Sequence, residues 1–153
     1  MTTVRRIRVD EAAALRDLTR QATAELAVRF PEDRIGISER GLDNLETHYR
    51  LGAVHQDLIV LVAEREGRIL GFVDAEAERG KSLPGITGTI GDLWVSQEAE
   101  DDVAESLVRE AVQLLRERGA AAIFHTEDAA HPDREPWESL GFEADVVRFS
   151  LYD

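Results

Sequence analysis

A β-hairpin near the middle of the chain constrains the fold more than any other feature of this sequence. Residues 58–63 are all apolar and match a buried strand in length. Glu66 and Gly67 form a turn signal, and residues 69–75 then read as the returning strand. We therefore expect a sheet that begins from an antiparallel hairpin, with helices packed on it.

The other patterns predict a single α/β (α+β) domain spanning residues 1–153, in the order β-α-α-β-β-β-α-β-α-β. Residues 103–118 form its strongest amphipathic helix, and Gly119 follows where a helix C-cap belongs. Asp10 and Ser38 are the expected N-caps of the first two helices. Further strands are predicted at residues 4–9, 89–95, 121–125 and 146–151, and further helices at 11–30, 38–51 and 136–140.

The composition limits the partners of this chain. Acidic residues outnumber basic ones, 31 to 18, for a formal net charge of -13. Such a surface argues against nucleic acid and against anionic membranes, since both require Lys and Arg. The chain has no cysteine, which excludes disulfides and thiolate chemistry. With no apolar signal segment at its start, we expect a cytoplasmic protein.

Two short segments sharpen the interpretation. Residues 90–96 read Ile-Gly-Asp-Leu-Trp-Val-Ser, and residues 137–142 read Trp-Glu-Ser-Leu-Gly-Phe. In this element order they resemble the fourth strand and the late motif of the GNAT (GCN5-related N-acetyltransferase) superfamily. The resemblance implies a mixed, mostly antiparallel sheet of about six to seven strands flanked by about four helices. It also implies acyl transfer from acetyl-CoA to a small amine, and it admits a homodimer.

The resemblance places the coenzyme at Val95 and at the start of the next helix, at Asp102, Val103 and Ala104. Helix N-termini bind pyrophosphate through free N–H groups, and glycine allows close approach. Here Asp102 stands in for the central glycine of the family pattern, and Ala99 stands where Arg or Gln is usual. Carboxylates in this loop oppose an anionic ligand. The same acids are also ordinary stabilisers of a first helical turn.

Asp92 and His125 are the candidate bases that would take a proton from the amine. Each also has a purely structural interpretation, as a hydrogen-bonded carboxylate and as a strand-end histidine. The family's usual tyrosine acid, four residues before the glycine of the late motif, is replaced by Trp137. Tyr152 is an alternative acid, and His48 and His55 are expected at the surface.

The loop after residue 125 contains Glu127, Asp128 and His131, which predict an acidic amine pocket or a metal cluster. No regular ligand spacing frames them, so we expect no metal. Two hypotheses remain open for the whole chain. It is a GNAT-type acyltransferase, or it is a GNAT-fold protein that has lost acetyl-CoA binding and serves as a non-catalytic binding or interaction module.

Overall fold

The computed structural model describes residues 1–33, 35–79, 84–100, 102–127 and 135–145. Within this part of the chain, five strands and four α-helices alternate much as the sequence predicts, and a short 3-10 turn precedes the first helix. The strands are β1 (Thr3–Arg6), β2 (Leu58–Arg65), β3 (Arg68–Arg79), β4 (Ile86–Val95) and β5 (Ala120–His125). The helices are α1 (Ala12–Arg29), α2 (Glu39–Val54), α3 (Asp102–Glu117) and α4 (Glu135–Glu138).

The five strands form one mixed sheet in the order β1-β2-β3-β4-β5. The first four strands are antiparallel, and β5 joins β4 in parallel after the α3 crossover. The predicted fold class is therefore confirmed, with slightly fewer strands than the six to seven expected. The predicted strand at residues 146–151 lies outside the described residues.

Two apolar cores lie on opposite faces of the sheet. On one face, α3 buries Val103, Leu107, Val108, Ala111 and Leu115 against alternate residues of β2 and β3, and Trp137 joins this cluster. On the other face, α1 and α2 cover the intervening residues through Leu15 and Tyr49. Strand alternation explains this division, because successive side chains point to opposite faces.

The C-terminal end of α2 is fixed onto the edge of the sheet. Gly52 packs so closely that a Cβ there would lie 2.3 Å from Val60 Cγ2. Arg6 donates from Nη1 to three backbone carbonyl oxygens, those of Gly52, His55 and Leu58, at 2.9, 3.0 and 2.8 Å. The bonds to Gly52 and His55 satisfy carbonyls that the end of α2 leaves without partners, and the bond to Leu58 reaches the start of β2. They also fix α2 relative to β2.

The start of the chain differs from the prediction. The first strand ends at Arg6 and not at residue 9, because the Arg8 backbone N–H donates to Glu11 Oε2 and the chain turns into a 3-10 segment at Val9–Glu11. Asp10 lies in that turn and does not cap α1, so its predicted role is wrong. The Ser38 cap is confirmed, since its hydroxyl accepts from the Gly41 N–H at 3.0 Å.

No helix in the described ranges has the length and apolar character needed to cross a membrane.

Candidate active site

The candidate site lies beside the stretch of β4 that continues past the end of β5, and we call this place the cleft. Their parallel pairing ends at Ile90 and His125, while β4 continues to Val95. Among the described residues, no strand pairs with residues 91–95 of β4 on the side facing away from β3. The backbone of that stretch is therefore a free strand edge beside the end of β5.

A β-bulge in β4 places Asp92 at this cleft. The flanking pairs between β3 and β4 are Val73–Leu93 and Ala75–Ile90. Asp74 alone therefore opposes two residues, Gly91 and Asp92, as a bulge requires. The extra residue reverses the alternation along β4. Ile90 packs in the core under α3, whereas Trp94 packs against Phe72 on the α2 side.

Asp74 joins the bulge to α2. Its Oδ1 accepts from the Asp92 backbone N–H, and its Oδ2 lies 3.1 Å from His48 Nε2. Gly91 makes room for this carboxylate, because a Cβ at residue 91 would lie only 2.6 Å from Asp74 Oδ1. The glycine at residue 91 thus leaves the space that the Asp74 carboxylate of the neighbouring strand occupies.

Asp92 is open to solvent but has a perturbed acidity. Desolvation by the surrounding protein raises the pKa of the Asp92 carboxyl above its ordinary value, and the negative charge of Asp74 raises it further. His125 and His48 oppose this shift. Asp92 is therefore easier to protonate than an isolated aspartate, and this direction favours a carboxylate that accepts protons.

His125 lies on the other side of β4 from His48, with both ring nitrogens in hydrogen bonds. Nδ1 lies 2.9 Å from the Ile90 carbonyl oxygen, and Nε2 lies 2.7 Å from Glu127 Oε1. Both partners are acceptors, so both nitrogens donate when each carries a hydrogen. Both nitrogens are therefore engaged within the chain, which suits a role in holding the end of β5.

Trp137 completes the group around His125. The indole stacks on the imidazole with ring centroids 3.6 Å apart and planes 13° from parallel. Its Nε1 donates to Glu127 Oε1 at 3.0 Å, so one carboxylate oxygen accepts from both rings. Trp137 is 5% exposed and belongs to the core under α3. At the position of the family's tyrosine, this chain thus has a buried ring that supports β5.

The acidic loop between β4 and α3 is anchored to the β2–β3 hairpin. Glu98 pairs with Arg68 and Glu100 pairs with Arg65, each at 3.0 Å. The Ser96 backbone N–H donates to the Leu70 carbonyl oxygen at 2.8 Å. Two of the loop carboxylates are therefore neutralised by arginines that adjacent strands supply.

The residues implied for coenzyme binding lie where the resemblance places them in the chain. Val95 ends β4, and Asp102, Val103 and Ala104 form the first turn of α3. Asp102 is exposed and Val103 is buried. The Val103 N–H donates to the Glu100 carbonyl oxygen at 3.1 Å, so it is already used within the chain.

Sequence analysis missed two residues of this site. Asp74 interrupts a buried stretch of β3, and a carboxylate among buried apolar residues is a signal that was available. His48, expected at the surface, is half-buried with 29% of its side chain exposed, and it contacts Asp74. His55 is exposed, as expected. Asp128, His131 and Tyr152 lie outside the described residues, and in the described ranges no three His, Asp or Glu side chains are grouped to hold a metal.

A match to a family profile identifies the family of this chain. The profile of the Acetyltransferase (GNAT) family matches residues 20–142, which include both core-forming helix layers and the whole cleft. The chain belongs to the GNAT family. No curated protein sequence matches it.

Solved structures support the same fold for this GNAT chain. A predicted acetyltransferase from Clostridium acetobutylicum, solved with acetyl-CoA, has a TM-score of 0.76 at 14% identity, covering 99% of this chain and 96% of its own. Aminoglycoside N-acetyltransferase AAC(6')-Iy, solved with CoA, has a TM-score of 0.75 at 15% identity, with coverages of 100% and 94%. An aminoglycoside acetyltransferase from an uncultured soil metagenomic sample has a TM-score of 0.71 at 21% identity, with coverages of 100% and 99%. At these identities the likeness concerns the fold.

Proposed function

We propose that this protein transfers an acyl group from acyl-CoA to a small amine, with Asp92 as the general base. The observation that carries the proposal is the position of Asp92. Its carboxyl has a raised pKa and lies where the pairing between β4 and β5 ends. A GNAT family member needs a proton acceptor where the thioester meets the amine. Asp92 is a carboxylate with a raised pKa at this place, and it is open to solvent.

The cleft fits the coenzyme's extended arm. The free edge of β4 at residues 91–95 offers backbone N–H and C=O groups that can pair with the amides of pantetheine, as an added strand would. The N-terminus of α3, from Asp102 to Ala104, is the place for the pyrophosphate. Because Arg68 and Arg65 hold Glu98 and Glu100, the charge opposing the phosphates is smaller than the sequence suggests.

The reaction needs one proton acceptor and one leaving group. The coenzyme supplies the acyl group as a thioester. Asp92 takes a proton from the ammonium group of the acceptor, which frees the nitrogen lone pair to attack the thioester carbonyl. A C–N bond forms, the C–S bond breaks, and the CoA thiolate departs and takes up a proton. His125, bonded through both nitrogens, fixes the end of β5 beside Asp92.

The acceptor that fits best is a small amine carrying positive charge. Asp74, Glu76 and Asp92 come from two adjacent strands, and all three act electrostatically on His48, so they lie within range of one another. An acidic environment of this kind favours cations. Three of the similar structures are aminoglycoside acetyltransferases, one solved with sisomicin, which is consistent with an amine acceptor.

The first test is calorimetric titration with acetyl-CoA, followed by CoA release with a panel of small amines. Binding in the micromolar range, about -8 kcal/mol, is the expected result. Asp92→Asn should keep that binding and lower kcat by about 10²-fold or more. Asp17→Asn, at an exposed carboxylate of α1, is the matched control and should change neither. Full activity in Asp92→Asn would refute the assignment of the base.

A binding or interaction module without acyl transfer is the second candidate. The loop contains no glycine between Gly91 and Gly119. The Val103 N–H, one of the groups a pyrophosphate would use, already donates to Glu100. No heat and no thermal shift at millimolar acetyl-CoA would favour this candidate over the transferase.

A further inference from the structure

One histidine of α2 contacts Asp74, the β3 residue that lies opposite the β4 bulge. His48 Nε2 lies 3.1 Å from Asp74 Oδ2, and the two side chains are 29% and 17% exposed. The other oxygen of Asp74 accepts from the Asp92 backbone N–H. A single carboxylate thus connects the histidine ring to the backbone of the residue assigned as base.

The local structure is built around this connection. The bulge gives Asp74 two opposing residues on β4, and Gly91 leaves the space that its carboxylate fills. On the helix side, the neighbouring residue Tyr49 is fully buried and anchors this turn of α2 through a 2.7 Å hydrogen bond to Thr19. His48 is therefore presented to Asp74 from a fixed backbone.

The negative charges of Asp74 and Asp92 favour a histidine at residue 48. Asp74 and Asp92 are adjacent carboxylates in a partly desolvated place, where two like charges destabilise each other. The described groups that act on Asp92 are Asp74 from β3, His125 from β5 and His48 from α2. The hydrogen bond to Asp74 is the main cause that raises the pKa of His48, and Glu76 and Asp92 add to it against the effect of burial.

We propose that His48 is a positioning residue for Asp92: it acts through Asp74 to hold the bulge in place, and its positive charge offsets the negative charge of the two neighbouring carboxylates. The role in catalysis rests on the proposed acyl transfer. The link from the His48 ring through Asp74 to the Asp92 backbone is a property of the folded protein and is measurable without any substrate.

The decisive measurement is a carboxyl ¹³C NMR titration of Asp92 in three variants. His48→Gln keeps a hydrogen bond to Asp74 but loses the charge, so the pKa of Asp92 should move up from its wild-type position. Asp74→Asn removes the neighbouring negative charge, so the same pKa should move down. His55→Gln, an exposed histidine just beyond the same helix, should leave it unchanged. Shifts of opposite sign in the first two variants are the signature of the proposed link.

The kinetic measurement then tests the catalytic consequence. In His48→Gln the acidic limb of the kcat/KM profile should move up in pH together with the pKa of Asp92, so that kcat/KM falls at pH values on that limb. An Asp92 titration identical in wild type and His48→Gln overturns the proposal. If the NMR shifts occur but the wild-type protein transfers no acyl group, the link stands and the proposed function fails.

Discussion

Replacing Gly91 with alanine tests whether the bulge is packed around Asp74. A Cβ at residue 91 would meet Asp74 Oδ1 at 2.6 Å, and Asp74 Cγ and Oδ2 at 3.1 Å. Real Cβ atoms do not approach an oxygen so closely, so the carboxylate has to move. The hydrogen bond that it accepts from the Asp92 N–H would then be lost.

The expected magnitude follows from two opposing contributions. A hydrogen bond to a charged group is worth about 1.5–3 kcal/mol. Gly→Ala at a compatible backbone stabilises by about 0.4–1 kcal/mol, because it restricts the unfolded chain. Gly91→Ala should therefore lower the free energy of unfolding by about 1–2 kcal/mol, with a fall in Tm of about 2–8 °C.

The assay is a double-mutant cycle by urea unfolding, with Asp74→Ala as the second change. Once the Asp74 carboxylate is removed, the added methyl group has nothing to displace, and Gly91→Ala should be neutral or stabilising. The coupling energy should be about 1–3 kcal/mol. An equal cost of Gly91→Ala in both backgrounds, or a gain in wild type, would refute the packing argument.

Three further predictions concern the supports of the site. Arg6→Met removes three donated hydrogen bonds at the end of α2 and should cost about 2–3 kcal/mol in urea unfolding; a cost under about 1 kcal/mol would contradict the clamp. Tyr49→Phe should cost only about 1 kcal/mol, since the Thr19 hydroxyl still donates to a backbone carbonyl; a much larger loss would mean that the hydroxyl pair carries more of the core. Hydrogen bonding to Arg5 lowers the pKa of Glu11 to about 2, so its stabilisation is complete above about pH 5 and is lost as the pH falls toward 2. Glu11→Gln should therefore be less stable than wild type at pH 7 and equal to it near pH 2, and a constant difference across that range would disprove the linkage.

Local sequence patterns predicted most of the fold. The hairpin of β2 and β3 was evident from an apolar run, a Glu-Gly turn and a second run, because strand length and turn chemistry are local properties. The amphipathic helix α3 was evident from its 3.6-residue spacing. The first strand was predicted too long, because the bond from the Arg8 N–H to the Glu11 side chain turns the chain early.

The sequence indicated only some residues of the candidate site, for a physical reason. Asp92 and His125 end up at the cleft because the sequence placed them on adjacent strands, near the point where the strands diverge. Their roles remain predictions. Asp74 and His48 were missed because their contact joins residues 26 apart in sequence. The bulge that turns Asp92 toward them exists only in the register between β3 and β4, which no single segment encodes.

The charge of the loop after β4 is interpreted differently from the sequence and from the fold. In the sequence, residues 97–102 contain four acidic residues and no basic one, which predicts strong electrostatic repulsion of a pyrophosphate. In the fold, Glu98 and Glu100 are paired with Arg68 and Arg65. Both carboxylates are 66% exposed, so each pair is worth at most about 1 kcal/mol and can rearrange cheaply when a ligand arrives. Among the described residues, the acid that then faces the N-terminus of α3 is Asp102. Among the described residues of this loop, the opposition to the coenzyme thus depends less on the net charge than on the Asp102 carboxylate in the first turn of α3.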